Sequence, residues 1–439
     1  MQYNGSFVPL RGRTGWRTEA QKMKDFLQVL LRFIPPYKKY LVGAIAFNIL
    51  SALLNVFSFA TLIPMLQILF KVDNGSGATQ AMAWSDGSLK DVLSNNVDYY
   101  TQIYITSWGP TTVLLVIGAA LAFIALIFIM HYGVSTDFVL GGVLDMSKVA
   151  GHEVVLRLVF LLAFIGFGTK AAVFPMYAWL PAASVAPTPV TALLHAVAVV
   201  NAGAYAVIRV IYYSFGASFL YGSVAQIIAV CLACFTILFG STMAVREQHF
   251  KRRLAYSTVS NLSYMLMGAA LMTPGGMVGS LSHLIFHGLM KIGLFYCAGA
   301  VLVQTGKEYV QDLRGMGRVM PFTFTCFTIG SIAMVGIPPL CGFVSKWNLL
   351  TAAADTGSWW GIVAIATLII SAVYVFTVVS VAWFRPLDAS DAALAGKNTD
   401  PGWQMKLPLA LLCVMVVLCG VFSTPLVQWL RSVAAGLVL

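Results

Sequence analysis

Ten long apolar stretches decide what kind of fold this chain can form. Each has about 20 or more mostly apolar residues, the length that an α-helix needs to cross a membrane. The stretches are residues 41–70, 111–131, 155–180, 190–213, 223–245, 254–273, 278–304, 321–344, 359–384 and 406–430. With 59% apolar and only 10% charged residues, the chain lacks the composition of a soluble or a disordered protein. We therefore predict an all-α fold, a polytopic membrane helical bundle of about ten transmembrane helices.

The ionisable residues within these stretches are basic or histidine. None of the 16 Asp and Glu residues falls inside a stretch. Apart from His131 and Lys406 at the very ends of two stretches, the basic and histidine residues that fall inside are Arg157, Lys170, His195, Arg209, His283, His287 and Lys291, and Lys346 lies two residues after 321–344. Ionisable groups at membrane depth are costly and usually functional. Because Arg157 and Arg209 lie near the ends of their stretches, we interpret them as reaching the lipid headgroups.

The segment SHLIFHGLMKIGLF carries His283, His287 and Lys291 at intervals of four residues. On a helix this spacing puts all three on one face, about 6 Å apart. A proton relay needs titratable groups at such distances, with pKa values that can be brought near neutrality. Structural polar packing and a metal site stay as alternatives, although the histidine pair lacks the Glu of a zinc protease and a third ligand.

Two stretches combine a lysine with prolines that interrupt a helix. They contain Lys170 followed by Pro175 and Pro181, and Lys346 preceded by Pro338 and Pro339. Proline removes a backbone donor, and broken helices are tolerated at membrane depth where they border a polar cavity. Such breaks mark ion sites in transporters, so we predict two functional broken helices. The alternative is two kinked helices whose lysines reach the membrane surface.

Five motifs connect the chain from about residue 132 to residue 439 with a known family. They are GFGTKAAVFPMYAWLP, APTPVTALLHAVAVV, FKRRLAYSTVSNLSYM, HLIFHGLMKIGLF and GIPPLCGFVSKWNLL. This part resembles the antiporter-like proton-pumping subunits of respiratory complex I, Mrp-type sodium/proton antiporters and membrane-bound hydrogenases. The resemblance implies two inverted repeats of five helices, each with a broken helix. It makes Lys170 and Lys346 the ionisable residues of the two breaks, and it puts His195, His283, His287 and Lys291 on a central polar axis.

The chain departs from this family in two respects. Asn201 stands where relatives often have Lys, and asparagine cannot carry a proton. The family also pairs the lysine of the first broken helix with a Glu on an earlier helix, yet no stretch here contains a carboxylate. Asp145 and Glu153 are the candidates that lie nearest in sequence to Lys170.

The distribution of basic residues predicts opposite membrane orientations for the N-terminal part and the rest of the chain. Residues 246–253, 305–320 and 385–406 carry the basic residues of one side, which the positive-inside rule makes cytoplasmic. With two stretches before residue 132, this puts the N-terminus outside, although residues 1–40 carry eight Lys and Arg. A native protein with one further span would also remove this conflict.

Residues 23–131 have a different character from the rest of the chain. A basic amphipathic segment, a long apolar stretch that follows Lys38 and Lys39, an acidic loop and a second stretch resemble the start of an ABC exporter transmembrane domain. No phosphate-binding loop occurs in the sequence. We therefore expect a polar basic tail over 1–22, an exporter-like segment over 23–131 and an N-terminally truncated antiporter-like domain over 132–439. The join would lie near 127–135, and gene fusion and misassembled sequence data both stay open as its origin.

We therefore predict a proton-translocating membrane subunit of a multisubunit complex, with sodium as an open further substrate. No ligand set for a flavin, haem, iron–sulfur cluster or metal is present, so we expect no cofactor and a non-redox role beside an NADH:quinone oxidoreductase or hydrogenase. The expected partners are other membrane subunits and the bilayer, without nucleic acid, in the inner (plasma) membrane of a prokaryote. An ABC-exporter-type transport fragment and an inactive membrane scaffold are the alternatives.

Overall fold

The structure is a computed structural model that describes residues 110–134, 141–184, 186–357, 359–388, 391 and 398–438. The predicted span at 41–70 and most of the exporter-like segment lie outside these residues. Within the described part, all regular secondary structure is helical apart from the isolated β-bridges Gly133 with Leu144 and His249 with Tyr309. The predicted all-α membrane fold is confirmed.

The described residues form the following longer helices: α1 Pro110–Tyr132, α2 Glu153–Gly168, α3 Thr188–Ala196, α4 Val199–Arg209, α5 Val224–Arg246, α6 Phe250–Ala270, α7 Pro274–Thr305, α8 Pro321–Val335, α9 Cys341–Asp355, α10 Trp360–Phe384, α11 Trp403–Val421 and α12 Thr424–Val438. Shorter helical segments are Met146–Val149, Trp179–Ala183, the π-helix Val210–Phe215, Ala217–Leu220, the 3-10 helix Val310–Leu313 and Met316–Val319.

Six spans in the described part are long and apolar enough to cross a membrane. They are Thr112–Tyr132, Thr188–Phe215, Val224–Arg246, Pro274–Thr305, Trp360–Phe384 and Trp403–Val421. Helix α6 is different because it carries a run of buried polar residues, among them Ser257, Asn261 and Ser263. Almost all of α6 is buried. Its polar side chains therefore face protein on every side and need partners there.

Four of the predicted spans are divided in the structure, two of them at the predicted breaks. The stretch 190–213 contains α3 and α4, with a break at residues 197–198. Helix α2 ends at Gly168 and α8 ends at Val335, each before a proline-containing segment, as expected of broken helices. The stretch 406–430, predicted as one span, instead contains α11 and α12 with a break at residues 422–423. Pro425 explains this break, because proline is accepted in the first turn of a helix but not within a continuous one.

The three basic segments lie on one side of the bundle, which we call the basic side. The backbone N–H of Phe250 donates to the carbonyl of Glu308 at 2.8 Å, which joins 246–253 to 305–320. The Lys307 ammonium lies 2.5 Å from a carboxylate oxygen of Asp391, which joins 305–320 to 385–406. At the opposite end of α6, the Tyr212 hydroxyl donates to the Ala269 carbonyl at 2.9 Å.

Helix α7 is the central element of the bundle. It has 32 residues and packs against α3, α6, α8, α9, α11 and α12. Because it is surrounded, polar side chains in its middle are withdrawn from both water and lipid. The residues His283, His287 and Lys291 lie in this middle section.

Candidate functional site

The basic and imidazole side chains of α7 form a buried line. His283, His287 and Lys291 are all completely buried, and the ring centroids of the two histidines are 6.0 Å apart. Helix geometry separates the backbones of His283 and Lys291 by about 12 Å along the axis. Lys291 lies nearer the basic side, because α7 ends there. The line therefore crosses the middle of the bundle.

Asn261 and Ser345 hold the His283 ring from two other helices. The His283 Nε2 atom is 3.1 Å from Asn261 Oδ1 on α6, and its Nδ1 atom is 2.9 Å from Ser345 Oγ on α9. The Asn261 amide nitrogen donates to the Ser257 carbonyl at 2.6 Å, which turns Oδ1 toward the histidine. The hydrogen-bond network therefore assigns a hydrogen to Nε2.

The same contacts satisfy His283 in both of its protonation states. Ser345 Oγ lies within hydrogen-bonding distance of His283 Nδ1 and also 3.2 Å from the Gly342 carbonyl. Beside a neutral ring, the hydroxyl donates to Nδ1. Beside a charged ring, Nδ1 donates to the hydroxyl, which then donates to Gly342. A proton can therefore enter or leave His283 with the rotation of one hydroxyl. Both ring nitrogens are occupied by these partners, which disfavours the metal alternative.

Helix α6 holds Lys291 without a carboxylate. The Lys291 ammonium donates to the Leu254 carbonyl at 2.8 Å and makes a short hydrogen bond to the Ser257 hydroxyl. Ser257 in turn donates to Leu254 at 2.8 Å, so it accepts from the lysine. Neutral oxygen atoms thus replace the charged partner that a buried ammonium usually has.

The second broken helix surrounds Lys346. Its ammonium donates to the Met334 carbonyl at 2.6 Å and lies 3.4 Å from the Val335 carbonyl, at the end of α8. It also lies 5.3 Å above the Tyr264 ring. The C-terminal carbonyls of a helix carry partial negative charge, and an aromatic face attracts a cation. The proline segment with Pro338 and Pro339 separates α8 from α9 and thereby exposes these carbonyls to the lysine.

Two further histidine contacts extend the line. His195, on α3, is completely buried and stacks on Phe295 of α7 with ring centroids 4.8 Å apart. Neither His195 nor His287 has a hydrogen-bond partner among the described residues. His287 lies within electrostatic reach of Lys291, His283, His195 and Lys346. The structure thus brings five of the six predicted relay residues into one group.

Lys170 lies apart from this group. It is half-buried in the turn after α2, and Pro175 lies between it and the short helix Trp179–Ala183, which contains Pro181. Its neighbour is α4, where a side chain at Gly203 would begin 2.6 Å from Lys170 Cβ. No described hydrogen bond or ring contact joins Lys170 to the α7 residues, so its place in a relay rests on the resemblance.

The carboxylates nearest in sequence to Lys170 have other partners. Asp145 caps the helix Met146–Val149 and accepts from the Ser147 hydroxyl at 2.6 Å, which holds the pKa of this carboxyl below its usual value. Glu153 accepts from the Gly151 backbone N–H at 3.2 Å at the start of α2. The length of α2, about 22 Å, separates Glu153 from the break. Neither residue is a partner of Lys170.

Asn201 joins two parts of the site. Its amide nitrogen donates to the Ala196 carbonyl at 2.9 Å and to the Leu284 carbonyl on α7 at 3.2 Å. It therefore ties the junction of α3 and α4 to the segment between His283 and His287. At the position where the resemblance implies a lysine, this chain thus has a side chain that ties two helices together.

The two arginines stack on aromatic rings. The Arg157 guanidinium lies 5.5 Å from the Phe219 ring centroid, and that of Arg209 lies 5.6 Å from Tyr213. Such cation–π contacts are favourable. Their predicted contact with lipid headgroups stays a prediction.

Sequence reasoning did not assign roles to Ser257, Asn261, Tyr264 and Ser345. The first three lie in the polar part of α6, within the motif FKRRLAYSTVSNLSYM. Five hydroxyl and amide side chains within the seven residues 257–263 of an otherwise apolar stretch are a signal that could have found the α6 contribution. Ser345 has no comparable signal apart from its position beside Lys346.

The sequence and the fold of this chain match those of known proteins. The family described as NADH:quinone oxidoreductase/Mrp antiporter, TM, matches residues 110–371, which include α1. NADH-quinone oxidoreductase subunit N of Desulforudis audaxviator is 34% identical over 338 residues, which are 72% of this chain and 64% of that protein. The chain spans between about a third and two thirds of the length of the first curated relatives it matches.

Solved structures show the same fold. The Mrp complex from Dietzia sp. matches with a TM-score of 0.63 and 23% identity, over 77% of this chain and 68% of that one. Respiratory complex I from Thermus thermophilus with bound NADH matches with a TM-score of 0.61 and 25% identity, over 77% and 69%. Since the family match covers more than half of its length, the chain is a multi-pass membrane protein that belongs to the NADH:quinone oxidoreductase/Mrp antiporter family.

Proposed function

We propose that this chain translocates protons as an antiporter-like subunit of a complex I, Mrp or membrane-bound hydrogenase type assembly, in the inner membrane of a prokaryote. The observation that carries the proposal is the buried line of Lys291, His287 and His283 with Lys346 beside it. No carboxylate is paired with these groups in the described part of the chain. Their charge can therefore change without leaving an unpaired buried anion.

Mutual repulsion gives these groups a way to pass protons on. Like charges at distances of about 6 Å in a medium of low dielectric constant repel strongly. A proton that arrives on one group therefore favours loss of a proton from the next. His283 is suited to the middle of such a sequence, because its hydrogen bonds can be satisfied in either state. Lys346 and Lys170, at the two broken helices, are the proposed end positions.

The test measures proton flux in vesicles with a pH-sensitive dye. The complex that contains this chain is purified and reconstituted as wild type, Lys291→Ala, Lys346→Ala and Lys148→Ala. Lys148 is exposed and serves as the matched lysine control. We expect both buried-site variants to lose most of the flux and the control to keep it. Equal flux in all four proteins rules out the relay and favours the scaffold alternative. Repeating the measurement without sodium tests whether sodium moves as well.

The proposed domain organisation needs a separate test. We propose the tail at 1–22, the exporter-like segment at 23–131 and the antiporter-like domain at 132–439, although the family match already begins at residue 110. Amplification across codons 110–150 from source DNA tests the origin of the join. A continuous product excludes misassembled sequence data and leaves fusion or a divergent native protein.

A further inference from the structure

A large open groove lies on the basic side of the bundle, between α3, α7 and α11. Its volume is about 780 Å³. Side chains from the end of α7 and the start of α11 form an apolar wall, namely Tyr296, Leu302, Val303, Met405 and Pro408. Lys251, Glu308 and the start of α3 supply the charged and polar groups. The groove contains none of the residues of the buried line on α7, so the proposed relay does not account for it.

The charged and apolar parts of the groove lie at different depths. Helices α6 and α11 begin on the basic side and α7 ends there, so Lys251 and Glu308 lie at the surface end of the groove. Tyr296 lies about 10 Å deeper along α7 than Val303. Trp403, at the start of α11, is 72% exposed, and tryptophan is enriched where the membrane meets water. The order of charged end and apolar wall is therefore that of a phospholipid in its leaflet.

The outer wall of the groove belongs to the periphery of the bundle. Helix α11 is the least buried of the six spans, with only 11% of its apolar window inside the protein. Pro408 and Val303 are both exposed. Lipid chains can therefore reach the apolar wall from the side.

The Lys251 ammonium has donors to spare. Lys251 is only 6% exposed, and its described hydrogen bond is a long one, 3.4 Å to the Ala186 carbonyl. That carbonyl already accepts from the Thr191 hydroxyl at 2.8 Å. At least two of the three ammonium donors thus lack an acceptor among the described residues. Helix α3 begins beside it at Thr188 without a side-chain cap, and a helix N-terminus attracts anions. Together these groups fit a phosphate.

Glu308 adds a negative group to the same end of the groove. Its carboxylate is 3.6 Å from His249 Nε2, which is too long for a hydrogen bond, and its side chain is 48% exposed. The carboxylate oxygens can therefore accept from a further cation. A primary ammonium can donate hydrogen bonds to them, whereas a quaternary ammonium has no N–H. Charge complementarity thus favours a headgroup that carries both a phosphate and a primary ammonium.

We propose that this groove binds one phosphatidylethanolamine molecule. Its phosphate contacts Lys251 and the start of α3, its ammonium contacts Glu308, and an acyl chain lies along the wall of α7 and α11. The lipid would attach the poorly buried α11 to the rest of the bundle. The inference goes beyond proton translocation and does not depend on it.

The test measures lipid binding to the delipidated, purified complex that contains this chain. Native mass spectrometry counts the phosphatidylethanolamine, phosphatidylcholine or phosphatidylglycerol molecules bound, with the same acyl chains in each. We expect phosphatidylethanolamine to bind most tightly to the wild type. Lys251→Gln should weaken that binding on the order of tenfold and remove one lipid per copy, because a hydrogen bond to a charged group is lost. Glu308→Gln should abolish the preference over phosphatidylcholine.

Two further variants define the contributions of charge and of the apolar wall. Lys406→Gln is the matched lysine control, because its ammonium lies over the Phe322 ring, 5.7 Å from the centroid, and it does not line the groove. It should bind lipid as the wild type does. Val303→Trp narrows the groove at an exposed position and should weaken the binding of all three lipids. Thermal unfolding of each variant in detergent, expected to match the wild type, shows that it is folded.

Three outcomes would overturn the inference. The first is equal retention of phosphatidylethanolamine by the wild type and Lys251→Gln. The second is that soluble phosphoethanolamine displaces the lipid at equal concentration, since the acyl chain would then contribute nothing. The third is a helix of another subunit in the groove, in place of headgroup density beside Lys251, in a cryo-electron microscopy map of the complex. None of these results bears on flux in Lys291→Ala, which decides the proposed function separately.

Discussion

The hydrogen bonds of single side chains determine how His283 behaves. Asn261 can accept from Nε2 but cannot take up the proton, and Ser345 can reverse its role by rotating. This combination supports a ring that changes charge in place. A carboxylate at either position would instead stabilise the charged ring and hold the proton.

Asn261 offers a pair of substitutions that separates these effects. Asn261→Leu removes the acceptor of Nε2, so we expect it to lower the free energy of unfolding by about 1–3 kcal/mol and to reduce flux. Asn261→Asp keeps an acceptor for Nε2 and favours the charged imidazole, so it should lose flux. It also loses the donor to the Ser257 carbonyl, so its stability should fall as well. Thermal unfolding and dye-monitored flux check both variants. Normal flux in Asn261→Asp would contradict the role given to this asparagine.

Ser345→Ala tests the rotating hydroxyl. Without it, Nδ1 loses the partner that serves both protonation states, and the charged ring has no acceptor there. We expect proton flux to fall in Ser345→Ala. The thermal stability of this variant should be similar to that of Lys346→Ala. Ser345→Thr, which keeps the hydroxyl, is the control that should recover flux. Equal flux in Ser345→Ala and wild type would argue that His283 does not change charge during transport.

At the scale of helices, the periodicity of the sequence was sufficient to predict which residues share a face of α7. It was insufficient to predict which residues of the neighbouring helices contact that face. The four-residue spacing of His283, His287 and Lys291 fixes a common face whatever the helix packs against, so that face could be predicted. The partners of these groups could not be predicted, because they depend on how α6 and α9 are oriented by packing. The division of 406–430 was missed because its hydropathy is continuous across Pro425.

Gly203 sets the distance between α4 and the first break. A methyl group there would lie 2.6 Å from the Lys170 side chain and from backbone atoms, so Gly203→Ala has to displace α4 or the break. Overpacking of this kind costs about 1–3 kcal/mol. Gly361→Ala is the matched control, since its nearest contact would be an ordinary 3.5 Å. We expect a lower melting temperature for Gly203→Ala alone, and equal melting of both variants would contradict the close packing.

At the scale of the whole molecule, the loops define two faces. The hydrogen bonds between 246–253 and 305–320 group the basic segments, and α2 begins on the opposite face near Lys148. The charge distribution therefore predicted which loops share a side of the membrane, because successive loops alternate between the two sides with each span. The charge distribution gave conflicting sides for the N-terminal quarter, because the side of a segment depends on the number of spans between it and the other loops.

Labelling from each side of the membrane checks this topology. In a cysteine-free background, Gln248→Cys and Lys148→Cys each put one thiol at an exposed position between spans. An impermeant thiol reagent should reach Gln248→Cys from the cytoplasmic side and Lys148→Cys from the outside. The result is expected because basic loops are retained in the cytoplasm. Labelling of both positions from one side would overturn the arrangement of spans.

The adjacency of Ser345 and Lys346 on α9 has a mechanical consequence. The serine reaches His283 on α7, and the lysine reaches the end of α8 at Met334. Because consecutive residues of a rigid helix move together, any rotation of α9 that withdraws the ammonium from those carbonyls also withdraws the hydroxyl from the imidazole. The two contacts are therefore coupled through the backbone of α9.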